Sequence, residues 1–323
     1  MNSARQKWID QAKGFALLIS IYFIFTRWLL VDFKDWDYGG FKQSAQIDLI
    51  NGIEIFARMG VIFLSALSFK FVGKKDGFWF LKKGIQFIVL PTIILMYGHE
   101  YIGLHWEFFQ SLGIYFLLLY YLNKISSQKY FKWILSFIIL ALYVASLPWW
   151  ESWSQNFVGS ILFGNFTENN LFNLFSGLPM VVVSSLLADI IIKKHHVQLK
   201  PLLWATGVSA SFFALLLSGY QWAFLGGKVF FYPPHILEYA SGLTLALSVV
   251  CFSYLVPLKP LMVIGRYGFM NFWICWLGSF IVMDWNQMGL YQYSLVGCLA
   301  ISSIFSIILI MFNYLWERNY GKK

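Results

Sequence analysis

Two histidines and two glutamates lie close together in one polar segment between apolar stretches of the sequence. They are His99, Glu100, His105 and Glu107. Histidine is the side chain best suited to general acid–base chemistry near neutral pH, and a neighbouring carboxylate can orient its ring and raise its basicity. The spacing is not that of zinc proteases, in which two histidines lie one helical turn apart with a glutamate between them. The segment therefore predicts His99 or His105 as a catalytic base beside Glu100, and a solvated polar loop is the alternative.

Charged residues lie inside the first two apolar stretches. Arg27 follows Lys13 by fourteen residues, about 21 Å along a helix at 1.5 Å per residue. Glu54 and Arg58 are four residues apart, so they share one helical face and can pair. Charges at membrane depth are costly unless they face a bundle interior or water. The pattern predicts a substrate-binding site of Arg27, Glu54 and Arg58, and an ion pair with Arg58 reaching the outer boundary explains the same residues.

A further carboxylate follows a pair of prolines at the start of a later apolar stretch. His235 and Glu238 are three residues apart and face the same side of a helix. Glu238 either joins the same outer substrate-binding cavity or serves as a first-turn carboxylate that the helix dipole favours.

These residues must be positioned by helices that cross a membrane. Hydrophobic residues make up 59% of the chain and charged residues 12%, and the mean hydropathy is +0.64. A soluble domain has about a quarter of its residues charged. The pattern predicts an all-α fold, a polytopic membrane bundle of about ten transmembrane helices. The apolar stretches lie at 14–31, 52–70, 84–98, 107–122, 131–149, 172–192, 202–220, 234–256, 261–283 and 293–315.

No gap between these stretches is long enough to fold alone, so we expect residues 1–323 to form a single transmembrane domain. The first stretch has spanning length and no small-residue cleavage site follows it, so we expect it to be retained. The cysteines, Cys251, Cys275 and Cys298, fall within predicted spans and are expected to be small core residues. Gly207 and the small residues after it predict close helix packing.

The formal net charge of +9 is distributed unevenly along the chain. Lys and Arg residues fall in blocks in alternate gaps between the apolar stretches. This pattern predicts a multi-pass protein of the plasma membrane, in which those gaps and both termini lie in the cytoplasm. The basic balance therefore indicates membrane orientation rather than nucleic-acid binding. The Lys and Arg residues assigned to the outer half are Arg27, Lys34, Lys42, Arg58 and Lys228.

Four segments resemble the transmembrane acyltransferase superfamily, which includes bacterial sugar O-acyltransferases and heparan glucosaminide N-acetyltransferase, and most of all its YeiB-like branch. Residues 9–17 resemble the family's opening of Asp, a basic residue and Gly before an apolar run. Residues 60–69 are similar to a Phe-rich segment of the second helix. Residues 265–272 resemble a Gly-Arg segment that leads to an Asn, here Asn271. Residues 316–321 resemble the closing Trp, basic and aromatic signature.

The chain departs from the family at several positions. Lys13 stands where an Arg is usual, and Phe69 replaces a Gly. The sugar O-acyltransferases carry a histidine, taken to be catalytic, eleven residues after the basic residue of the first helix, and YeiB-like relatives commonly have Asn there. Here that position is Ile24, which cannot transfer a proton. Any enzyme activity must therefore use another base than the usual first-helix histidine.

The resemblance implies acyl transfer from a cytoplasmic acyl-CoA to a glycan, lipid or small molecule outside the cell. No cofactor is expected to be bound permanently, and acyl-CoA would be a co-substrate. Its phosphates would be attracted by basic residues on the inner side. His99 or His105 would act as the base with Glu100, Arg27 or Arg58 would stabilise developing negative charge, and Asn271 would bind substrate. The basic residues expected to bind the coenzyme are Lys13, Lys82, Lys83 and Arg266.

Two other functions are open at this point. The first is a non-catalytic relative that serves as a carrier or binding partner for a lipid-linked or amphipathic molecule, with the outer charged residues forming a binding cavity. The absence of an internal duplication in the sequence weakens a transport role. The second is a structural subunit that positions another membrane protein. Expected partners are the lipid bilayer, a glycan or lipid acceptor, and a second copy or another membrane protein, but no nucleic acid.

Overall fold

The computed structural model folds its described residues almost entirely as α-helices, which agrees with the all-α class expected from the sequence. The described residues are 7–30, 59–71, 77–98, 108–124, 129–153, 162, 174–193, 196–225, 236–268, 270–271, 273–274, 277–278, 281 and 295–320.

Long helices make up most of the described residues. The helix that ends at Ser146 is continued by a 3-10 turn, Leu147–Trp149, and by a one-turn helix, Trp150–Trp153. The helix that ends at Ile191 is joined to the next one by an antiparallel hairpin of Ile192–Lys193 and His196–Val197. The helices in chain order are α1 (Lys7–Leu30), α2 (Met59–Phe69), α3 (Gly77–Gly98), α4 (Phe108–Lys124), α5 (Lys129–Ser146), α6 (Leu178–Ile191), α7 (Leu199–Leu225), α8 (Ile236–Leu255), α9 (Lys259–Arg266) and α10 (Leu295–Tyr320).

Among the described residues, four helices are long and apolar enough to cross a membrane: Tyr130–Trp149, Leu199–Ser218, Glu238–Leu255 and Val296–Tyr320. Two shorter apolar helices, Met59–Phe69 and Leu178–Ile191, accompany them. The multi-helix membrane character expected from the composition is therefore present. The layout of about ten spans and the side on which each terminus lies stay predictions.

Prolines mark the start of two helices and interrupt a third. Pro179 lies in the first turn of α6 and Pro260 in the first turn of α9. A proline fits there because the first amide groups of a helix have no partner within it. Pro91 lies inside α3, where it removes one backbone donor.

The predicted span 261–283 is interrupted near its start. Helix α9 ends at Arg266, and Tyr267 follows with φ −100° and ψ 24°. Helical hydrogen bonding then resumes, since the amide of Asn271 donates to the carbonyl of Tyr267 at 3.0 Å. The side-chain amide of Asn271 also donates to the carbonyl of Ile264 at 2.9 Å, which gives a buried carbonyl at the interruption a partner. The apolar run in the sequence conceals this break because Tyr267 is itself compatible with a helix.

The core lies among α2, α4, α6 and α8, where Phe63, Leu119, Val181 and Leu247 are fully buried. Helix α1 packs against α8, α9 and α10, while α3 packs along α4, α5 along α6 and α7 along α8. Side chains on several helices thus bury one shared apolar cluster.

Helices α1 and α10 run antiparallel. Leu29 packs with Cys298 near one end, and Ile21 packs with Leu309 further along. The Lys7 end of α1 and the Tyr320 end of α10 therefore lie at the same end of the bundle, called the junction end below.

Candidate functional site

The predicted acid–base segment lies outside the described residues, and so do two of the predicted substrate-binding residues, Glu54 and Arg58. Arg27 lies in the last turns of α1, where the structure describes the backbone of this residue but not its side chain. The roles predicted for the His99, Glu100 and His105 segment therefore stay predictions.

Two glycines let α1 and α9 touch backbone to backbone at the junction end. A Cβ atom added to Gly14 would lie 2.9 Å from the amide nitrogen of Gly265 and closer still to the carbonyl oxygen of Leu261. A Cβ atom added to Gly265 would meet the carbonyl oxygen of Asp10. Small residues permit this approach between membrane helices. The first and third segments that carry the family resemblance thus meet here.

Gln11 fastens α1 to the connection between α8 and α9. Its amide nitrogen donates to the carbonyl of Val256 at 2.7 Å, and its amide oxygen accepts from the backbone amide of Leu258 at 2.7 Å. The side chain is fully buried. Both backbone groups lie in a non-helical turn, so Gln11 gives partners to atoms that the helices leave without one.

Helix α10 joins the same junction through polar side chains. Arg266, at the end of α9, forms an ion pair with Glu317 of α10. Deeper in the bundle, Asn313 donates to the side-chain oxygen of Asn271 at 2.6 Å and to the carbonyl of Leu309 at 2.7 Å. Both asparagines are fully buried. Asn271, predicted to bind substrate, is therefore held by protein groups at both ends of its amide.

The predicted coenzyme-binding lysines and arginine occupy two places. Lys13 and Arg266 each adjoin a glycine of the α1–α9 contact, and Arg266 is paired with Glu317. Lys82 and Lys83 lie on α3, where Lys82 is exposed and Lys83 donates to the side-chain oxygen of Gln86 at 3.0 Å. The four cations therefore do not form one cluster around the α1–α9 contact, because α3 packs mainly along α4.

Glu238 lies in the first turn of α8, and it is buried, with 1% of its surface exposed. Beside it in sequence, Tyr239 reaches across to other helices. Its hydroxyl lies 2.8 Å from that of Tyr143 in α5 and donates to the carbonyl of Ser176 at 2.5 Å. Because the proton of Tyr239 goes to that carbonyl, Tyr143 donates to Tyr239 and its own oxygen remains an acceptor. A buried carboxylate and two phenols therefore share one region.

Aromatic residues surround this phenol region. Tyr115 accepts from the amide of Gly177 at 3.0 Å and donates to the carbonyl of Leu174 at 2.7 Å. Trp150 is buried, and its indole donates to the hydroxyl of Ser146 at 2.8 Å. Trp149 and Trp153 stay exposed and stack on each other, as an interfacial belt would have them.

An apolar groove of about 370 Å³ runs between α6, α7 and α8 and has Tyr239 in its wall. Known small-molecule pockets have volumes of about 300–1,000 Å³. Ser209 and Thr244, bonded to each other at 2.8 Å, tie α7 to α8 beside it. The groove is suited to a hydrocarbon chain. Its other wall residues are Pro179, Met180, Val183, Leu187, Ala205, Val208, Ser209, Phe212, Ile236, Ala240 and Leu243.

One charged cluster was missed from the sequence. Asp189 of α6 pairs with Lys70 at the end of α2 through one oxygen and with Lys132 of α5 through the other, at 2.5 Å. Lys132 also donates to the carbonyl of Ser185 at 3.0 Å and is 1% exposed. The sequence marks Lys132 as one of a block of inner cations. The sequence signal was Asp189, a carboxylate close to the basic run that follows α6, but it does not indicate which lysine pairs with it.

Within the described ranges, no group of three or more His, Cys, Asp or Glu side chains could hold a metal ion. No protein-family model matches the sequence, and no curated protein matches it.

Proposed function

We propose that this chain is an acyltransferase-like membrane protein, which moves an acyl group from a cytoplasmic acyl-CoA to a hydroxyl or amine outside the cell. One observation carries the proposal. Three of the four segments that resemble the transmembrane acyltransferases, far apart in sequence, meet at one junction through the Gly14–Gly265 contact and the Arg266–Glu317 ion pair. Segments that build one site are expected to meet in this way.

The reaction would make one ester or amide bond and break one thioester bond. The acceptor oxygen or nitrogen attacks the thioester carbonyl, its proton passes to His99 or His105, and the carbon–sulfur bond breaks to release coenzyme A as a thiol. Glu100 would orient the base, and Arg27 or Arg58 would stabilise the tetrahedral oxyanion. Lys13, Lys82 and Lys83 would attract the phosphates of the donor, whereas Arg266, paired with Glu317, would position the junction.

The proposal includes a topology of about ten spans with both termini in the cytoplasm and the chain in the plasma membrane, in a bacterium. Two observations support it. Lys and Arg blocks alternate along the sequence. The antiparallel α1 and α10 bring the Lys7 and Tyr320 ends to the same end of the bundle.

The activity is tested with the purified full-length protein in nanodiscs. Binding of acetyl-CoA by calorimetry and release of free thiol are measured for the wild type, for His99→Ala with His105→Ala, and for His196→Ala. His196 is exposed on the α6–α7 hairpin, so its loss should leave thiol release unchanged. We expect at least a hundredfold loss in the double variant, as removal of a general base gives. No binding and no thiol release by the wild type would end the proposal.

A second candidate function is binding or carriage of a lipid-linked or amphipathic molecule without chemistry. The groove between α6, α7 and α8 favours it, because an alkyl chain suits the aliphatic walls and Tyr239 supplies a polar group. A photoreactive fatty-alcohol probe should label the wild type, and Ala240→Phe, which fills the groove, should suppress the labelling. Leu215→Phe is the control, because Leu215 is 72% exposed and lies outside the groove wall. Equal labelling of both variants would contradict binding in the groove.

A further inference from the structure

A row of polar side chains runs along the face of α10 that packs against α1 and α9. Four members are spaced by four, seven and four residues, which places them within about 60° of one another around a helix of 3.6 residues per turn. They extend over about 22 Å at 1.5 Å per residue, most of the thickness of a bilayer core. They are Ser302, Ser306, Asn313 and Glu317.

Each end of this row is closed by a side chain from a neighbouring helix. At one end the hydroxyls of Thr26 and Ser302 are bonded at 2.7 Å, and Thr26 is fully buried. At the other end Glu317 pairs with Arg266. The row therefore connects the junction end with the far half of α1.

Between these ends, several buried polar atoms have no hydrogen-bond partner within the part of the chain that the structure describes. They include the hydroxyls of Ser20 and Ser306 and the side-chain oxygen of Asn313. These residues are 6%, 7% and 0% exposed. An unpaired buried polar group destabilises a fold, and inside a membrane no bulk water is available to bond to it.

One position in the row carries an apolar side chain. Leu309 lies on the same face of α10 and packs against Ile21 of α1. Ser20, whose buried hydroxyl has no partner within the described residues, immediately precedes Ile21 in α1. The two unpaired atoms of α10, on Ser306 and Asn313, are about 10 Å apart along the helix axis. Ordered water commonly makes about three bonds to buried groups that lack other partners.

We propose that the interface of α1, α9 and α10 binds a file of water molecules reaching from the Arg266–Glu317 ion pair to the Thr26–Ser302 pair. The ligand is water because the middle of the row offers hydroxyl and amide groups without a formal charge. Such a file exchanges protons with bulk solvent at the junction end. It is a property separate from acyl transfer and holds whether or not the chain is an enzyme.

Thiol infrared spectroscopy in D₂O tests the file. Cys251, Cys275 and Cys298 are replaced by Ala in the full chain, and one thiol is introduced as Ser306→Cys or as Ile308→Cys. Ile308 is 57% exposed and faces away from α1, so its thiol reports exchange through lipid alone. Exchange of S–H to S–D should be at least tenfold faster at position 306. Equal rates at both positions, fast or slow, would overturn the proposal.

A second measurement covers the case in which a cysteine variant fails to fold. Ser306→Ala in the otherwise native chain deletes the unpaired hydroxyl. If that hydroxyl is bonded to water, its loss lowers Tm, whereas loss of a dry, unpaired hydroxyl raises Tm. A rise would contradict the file. Neither measurement uses an acyl donor, so either proposal can fail while the other stands.

Discussion

Gly14 and Gly265, from opposite ends of the sequence, form a contact in which the backbones of α1 and α9 meet with no side chain between them. The fully buried Gln11 side chain lies one turn before Gly14 and fastens the α8–α9 connection. The Arg266 side chain, one residue after Gly265, fastens α10. The close contact and its two polar ties make the junction end a rigid unit, because each tie depends on the helix spacing that the glycines set.

Gly265→Ala should destabilise the protein by about 1–3 kcal/mol, the usual cost of forcing an extra methyl group into a packed site. The added Cβ would meet the carbonyl oxygen of Asp10, and a backbone atom cannot rotate away as a side chain can. Thermal unfolding in detergent, followed by tryptophan fluorescence, measures the effect.

Gly207→Ala is the matched control. Within the part of the chain that the structure describes, no neighbouring atom lies within 4 Å of a Cβ added at Gly207 in α7, so the close packing predicted at this glycine is not observed. Alanine is the better helix former by about 1 kcal/mol, so we expect an unchanged or higher Tm. An equal loss in both variants would indicate that helix glycines matter here for a reason other than close packing.

Gln11→Met should cost about 2–4 kcal/mol, because it keeps the length of the side chain but leaves the carbonyl of Val256 and the amide of Leu258 without this partner. Gln11→Glu keeps the acceptor for Leu258 and loses the donor to Val256, and it places a carboxylate at a fully buried position. Both variants should lower Tm. A Tm within a degree of wild type for Gln11→Met would show that the fastening is not needed for stability.

Local features of the sequence predicted the single helices well. The stretch 234–256 is observed as Ile236–Leu255, and 202–220 as Leu199–Leu225, because apolar runs bounded by proline or charge define a helix without help from the rest of the chain. Contacts between distant segments were not predictable in this way. Gly14 with Gly265 and Asn271 with Asn313 depend on which helices become neighbours, which hydropathy does not encode.

The same distinction between local features and contacts between distant segments applies to the candidate site. The sequence marked Glu238 as a boundary carboxylate, but it indicated neither the burial of that residue nor the hydrogen bond between Tyr143 of α5 and Tyr239 of α8. Lys132 was grouped with inner cations by sign alone. Its burial follows from the position of Asp189 one helix away, and a single sequence gives no sign of that pairing.

Topology can be tested by labelling single cysteines in intact cells with a membrane-impermeant maleimide. In a chain without native cysteines, Glu100→Cys should react and Lys75→Cys should react only after the cells are opened, because positive residues mark the cytoplasmic side. Lys193→Cys is the structural control, since Lys193 is exposed on the hairpin and is predicted to lie inside. Labelling of positions 75 and 193 with protection of position 100 would invert the orientation.

Removing Asp189 from the Lys132–Asp189 pair should cost more stability than removing Lys132. Asp189→Asn leaves two lysines beside each other, one of them almost fully buried, and breaking a buried pair in this way costs about 3 kcal/mol or more. Lys132→Met leaves Asp189 paired with Lys70 and replaces a buried cation by an apolar chain of similar length, so the change should stay within about 1 kcal/mol. The variant that carries both changes should be more stable than Asp189→Asn alone, because the buried charge is gone.

Unfolding in mixed SDS micelles gives the free energies of unfolding, with Lys193→Ala as an exposed control expected within about 0.5 kcal/mol of wild type. If Lys132→Met proved as costly as Asp189→Asn, pairing with Lys70 alone would not be enough for Asp189, and the Lys132–Asp189 ion pair would itself stabilise the fold.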